Sequence, residues 1–93
     1  MRVGTLEVDF RIPGSDSLKA KRKVVSSLKD RIRARFPVAV AEVGHQELYA
    51  RSAIGVAAVG GNGGLFERAL DEVLRMIESD VRVLIVDVVR DSY

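Results

Sequence analysis

The spacing of apolar residues switches repeatedly along this chain between a period near 3.6 and a period near 2, and that switching limits the folds open to it. From Ser17 to Phe36 (SLKAKRKVVSSLKDRIRARF), Leu18, Val25, Leu28, Ile32 and Phe36 recur at helical spacing and form one stripe. A second helical set runs from Leu65 to Glu78, with Leu65, Phe66, Ala69, Leu70, Val73, Leu74 and Ile77 as its apolar members. The stretches around them read as strands. Val3 to Ile12 alternates, with Leu6, Val8, Phe10 and Ile12 on one face and Thr5, Glu7, Asp9 and Arg11 on the other. Val38 to Val43 (VAVAEV) is small and apolar on both faces apart from Glu42, Ala53 to Val59 (AIGVAAV) is a third strand, and Val81 to Val89 (VRVLIVDVV) is apolar on both faces.

The breakers sit where this plan needs them. Pro13-Gly14-Ser15 ends the first strand, and Asp16 or Ser17 can cap the helix that follows. Pro37 stops that helix, since the residue before a proline is pushed out of the α region. Gly44 opens a polar connection, His45 to Arg51, and Gly60 to Gly64 is a glycine turn without the spacing or the lysine of a phosphate loop. Strand, helix, strand, strand, helix, strand amounts to two split β-α-β units. The expected fold is α+β, a ferredoxin-like sandwich: a four-stranded antiparallel sheet with two helices on one face. Right-handed crossovers place the first and third strands centrally. Residues 1–93 read as a single domain.

The open face of such a sheet should be polar in a protein that works alone. Here the second and fourth strands leave apolar residues over. With Leu84, Val86 and Val88 turned to the helices, Val83 and Ile85 point away, and Val40 joins them from the second strand. These three are the expected contacts of a homodimer.

Composition excludes more than it identifies. There is no cysteine, so disulfides and thiolate chemistry are ruled out. Apolar and charged fractions of 47% and 30% are those of a soluble globular protein. The chain passes from Met1-Arg2 straight into strand-like sequence and has no run of about 20 apolar residues, so no membrane contact is expected and the cytoplasm is the default location. Catalysis has little to stand on. His45 is the sole histidine, with Glu42 and Glu47 its nearest acids in sequence, and no second histidine completes a metal-ligand set. The reading is of a non-enzymatic protein without metal or cofactor. Base stacking on the sheet is not expected either, because Phe10 shares the core face and the third strand has no aromatic residue.

Charge is the feature with functional content. Residues 17–36 hold eight cations and one acid, a net of +7, whereas the rest of the chain holds seven cations and twelve acids, a net of −5. Lys19, Arg22, Lys29 and Arg33 fall on one flank of the first helix, and Arg31 and Arg35 on the other. The neighbouring helix offers Glu67, Asp71, Glu72 and Glu78, which could neutralise part of this charge. Against that, Lys19, Lys21, Arg22 and Lys23 crowd the amino-terminal turns, where the helix dipole disfavours cations by some tenths of a kcal/mol each. The expected role is phosphate-backbone binding to structured RNA or the ribosome through Lys19, Lys21, Arg22, Lys23, Lys29 and Arg33, with no DNA specificity. The alternative is a protein-interaction module whose basic helix docks an acidic protein partner.

Three segments carry a resemblance. Ser17-Leu18-Lys19-Ala20-Lys21-Arg22, Ala41-Glu42-Val43-Gly44-His45-Gln46-Glu47-Leu48 and Ile54 to Val59 together resemble the YlxP-like proteins, small bacterial proteins of unknown function, over nearly the full length. Gly44 stands where that family commonly has an acid, and Tyr49 where it commonly has tryptophan. The resemblance implies a ferredoxin-like fold and a bacterial cytoplasmic setting. It also implies ribosomal RNA as a partner, since genes of the family commonly neighbour those of translation initiation and ribosome maturation. No enzymatic activity is implied.

Overall fold

The computed structural model describes residues 1–61 and 64–93. Its elements follow the expected order: β1 (Arg2–Arg11), α1 (Leu18–Arg35), β2 (Ala39–Gly44), β3 (Arg51–Gly60), α2 (Leu65–Glu78) and β4 (Leu84–Ser92). The strands form one antiparallel sheet in the order β2-β3-β1-β4, and both helices lie on one face, giving the ferredoxin-like α+β fold. β1 and β3 are central, as right-handed crossovers require. Two residues of the Gly60–Gly64 turn, Asn62 and Gly63, lie outside the described residues; Gly60 ends β3 and Gly64 caps α2.

The core forms where the alternation of β1 meets the two helical stripes. Leu6, Val8 and Phe10 pack with Ile54 and Val56 of β3, Val25, Leu28 and Ile32 of α1, and Phe66, Leu70, Val73 and Ile77 of α2. Gly4 lets α2 settle onto the sheet, for a Cβ there would stand 2.6 Å from the Phe66 ring. α1 starts at Ser17, whose hydroxyl oxygen accepts from the Ala20 N–H at 3.0 Å. It ends at Phe36, held extended before Pro37.

β4 differs from expectation in phase. Val81 and Val83 precede the strand instead of opening it, and Val83 closes the core at 6% exposure. Asp9 pairs with Asp87 and Phe10 with Ile85, so Val86 is an extra residue that resets the alternation. Ile85 therefore turns inward with Phe10, whereas Asp87 and Val89 share the open face with Asp9 and Glu7. Val40 is also a core residue, 7% exposed. All three residues expected at a dimer interface, Val40, Val83 and Ile85, are thus committed to the monomer's own core. The exposed apolar side chains of β4 are Leu84, Val86, Val88 and Val89.

The two outer edges of the sheet are finished differently. On β2, Arg33 Nη2 donates to the Val40 carbonyl at 3.0 Å, and Gln46 Nε2 donates to the Glu42 carbonyl at 3.3 Å. On β4, the Asp87 carboxylate takes the Val88 N–H.

Candidate functional site

Six cations of α1 were expected to face solvent, and the fold separates them. Lys21 is 1% exposed and sits on the core side of the helix, in line with Val25, Leu28 and Ile32. Its ammonium donates to the carbonyls of His45, Gln46 and Arg51 at 2.8, 3.1 and 3.3 Å, and lies 3.1 Å from Glu42 Oε2. A buried cation is tolerable only when its protons and charge are all met, and here they are. Lys21 therefore cannot reach a phosphate. Glu42 Oε2 also accepts from the Ser52 hydroxyl at 2.6 Å, which explains the one acid in the apolar sequence of β2.

Lys21 holds the β2–β3 connection from beneath, and a second set holds it from the open face of the sheet. His45 has a left-handed backbone (φ 55°), a strained state for a residue with a Cβ, though histidine tolerates it better than most. Its Nε2 lies 3.2 Å from Asp9 Oδ2; an ionised carboxylate can only accept, so Nε2 carries the proton. Arg51 grips the same carboxylate through Nε and Nη2, each at 3.1 Å. That fork lowers the Asp9 pKa below the usual carboxylate range; partial desolvation opposes the shift and the His45 contact adds to it.

Lys19, Arg22, Lys23 and Arg33 are exposed along α1, and Lys29 is half-buried. Among the described residues no carboxylate comes within ion-pair distance of Lys19, Arg22, Lys23 or Lys29. Arg33 lies 3.9 Å from Asp30 while also capping β2. Of the acids of α2, Asp71 binds Arg90 of β4, and among the described residues none of Glu67, Asp71, Glu72 and Glu78 forms an ion pair with α1. Among the described residues, the match to α1 from this side comes from Asp80, just beyond α2, which accepts from Arg31 at 3.3 Å and from Arg82 at 2.6 Å. Arg82 in turn lowers the Asp80 pKa, against desolvation. The two flanks of α1 thus differ. On the flank toward α2, Arg31 is paired with Asp80; on the flank toward β2 and the outer surface, Lys19, Arg22, Lys23 and Lys29 form a cationic ridge that meets no carboxylate among the described residues.

A hollow of about 650 Å³ opens at the end of the sheet nearest the start of α1, lined by Arg11, Pro13, Leu48, Tyr49, Arg51 and Leu84, with Glu47 and Ala50 completing it. Nothing in the spacing of the sequence brings β1, the β2–β3 connection and β4 together here; the antiparallel register does. Among the described residues no three His, Asp or Glu side chains gather as metal ligands, and no helix is long and apolar enough to cross a membrane.

Comparison with known proteins agrees with the architecture. The uncharacterized protein YlxP of Bacillus subtilis (strain 168) is 34% identical to this chain over 77 residues, covering 83% of this chain and 84% of its own length. Residues 3–90 match the family described as "Protein of unknown function (DUF503)", and the chain belongs to that family.

Proposed function

We propose that this protein binds the phosphate backbone of structured RNA, free or within the ribosome, through the β2-side flank of α1. The observation that carries this reading is the absence of ion-pair partners for Lys19, Arg22, Lys23 and Lys29 among the described residues. Three of these cations stand in the first turns of the helix, where no acid offsets them and the dipole already disfavours positive charge. From Lys19 to Arg33 the ridge runs about 21 Å at 1.5 Å per residue. That is long enough to follow several phosphates of a duplex and far longer than one nucleotide needs. Lys21 plays no part in the contact, being committed to Glu42 and three carbonyls.

Binding of an RNA hairpin, followed by anisotropy, is expected to weaken steeply with salt, because each neutralised phosphate releases counterion. The double charge reversal Arg22→Glu/Arg33→Glu should lower affinity by at least tenfold. Equal affinity for the double variant and the unaltered protein would refute the proposal. Partners that survive nuclease treatment would instead favour an acidic protein as the occupant of the ridge.

We also propose a homodimer formed along β4. Its support is the run of exposed apolar residues Leu84, Val86, Val88 and Val89 on an outer strand.

A further inference from the structure

We propose that the hollow at the end of the sheet takes one unpaired nucleobase of the RNA held on the α1 ridge, a step that rests on the RNA-binding reading above. The hollow of about 650 Å³ is roomy enough for a base and its sugar. Its walls combine the surface types a nucleotide presents to a protein. Tyr49, half its surface exposed at 53%, offers an aromatic plane, and Leu48, Leu84 and Pro13 offer apolar rims. Stacking on an aromatic side chain is how single-stranded bases are commonly held, and it tolerates any base. Arg11 lines the hollow with no carboxylate partner among the described residues, and Arg51 commits only Nε and Nη2 to Asp9. Both guanidiniums can meet the phosphate flanking the extruded base. The Glu47 carboxylate at the rim is an acceptor for an exocyclic amino group, so it favours cytosine or adenine over uracil.

The second support is mechanical continuity with the ridge. The connection that carries Leu48 and Tyr49 is fastened to α1 by Lys21, which lies between the exposed Lys19 and Arg22. The same connection is fastened to the sheet by His45 on Asp9. Backbone contacts and base contact therefore sit on one rigid frame. The reading requires an RNA strand that passes from the first turns of α1 around this end of the sheet. This arrangement selects hairpin loops, bulges and single-stranded ends over continuous duplex.

The test compares two RNAs of equal length: a hairpin with 2-aminopurine in its loop and a blunt duplex. The unaltered protein should quench 2-aminopurine fluorescence on binding and prefer the hairpin. Tyr49→Ala should weaken hairpin binding about tenfold and abolish the quench while leaving duplex affinity unchanged; Tyr49→Phe, which keeps the ring, should behave as the unaltered protein does. Hairpin affinity equal for Tyr49→Ala and the unaltered protein, or unchanged fluorescence on binding, would overturn the proposal. If duplex binding still depends on Arg22 and Arg33 in that case, only the base-binding step falls. If neither RNA binds the unaltered protein, both readings fall.

Discussion

A single lysine decides how much of the basic helix is available to a partner. Lys21 lies four, seven and eleven residues before Val25, Leu28 and Ile32, so the sequence places it squarely on their stripe. Its charge argues for solvent, and only the position of Glu42 in an otherwise apolar strand marks the buried mate. That mate stands 21 residues away, too far for helical periodicity to link them. Replacing Lys21 with Met keeps the length of the stem but leaves Glu42 and three carbonyls without their donor. Urea denaturation should show a loss of about 3 kcal/mol or more, as when one partner of a buried pair is removed. Arg22→Ala, one residue on and exposed, should stay within about 0.5 kcal/mol of the unaltered protein. Equal losses at both positions would contradict the assignment of Lys21 to structure and Arg22 to surface.

The helices and β1 were legible because their periods are clean and their ends are marked by Ser17, Pro37 and Pro13. β4 was not. The run Leu84-Ile85-Val86-Asp87-Val88-Val89 is apolar in either phase, and the extra residue at Val86 breaks the parity on which any assignment of faces depends. Whether Val83 and Ile85 look inward or outward follows from the pairing with Phe10 and Asp9, which is information about another strand. The hollow was hidden for the same reason. Its walls come from β1, the β2–β3 connection and β4, and Tyr49 in isolation reads as a loop aromatic. The association proposed for β4 has its own check. Light scattering at micromolar concentration should give a dimer, and Val88→Lys, which places a charge on the exposed edge, should give a monomer. A monomer without the substitution would dispose of it.

At the scale of the whole molecule, charge is sorted. The β2-side flank of α1 is cationic, and the open sheet face carries Glu7, Asp87 and Asp91 with Arg11 as a minority. Such separation orients the protein toward a polyanion before contact. Sequence arithmetic foretold the imbalance but could not say which acids answer which cations; among the described residues, Glu42 of β2 and Asp80, just outside the second helix, are the acids from other elements that reach α1. The same pairs set the response to acid. Asp9 and Asp80 have their carboxyl pKa values lowered in the folded chain, chiefly by Arg51 and Arg82. Their stabilisation is complete above the unfolded carboxylate value of about 4 and is lost as pH falls below it toward the lowered values. Thermal unfolding should give a flat midpoint from neutral pH down to about pH 5, then a decline below about pH 4 that Asp9→Asn reduces.

The unequal finish of the two sheet edges bears on how far assembly can proceed. Arg33 and Gln46 occupy outward carbonyls of β2, so another strand cannot be added there without displacing them. A chain that pairs through β4 then has no second open side to offer. Association through β4, as proposed, would then close at two copies.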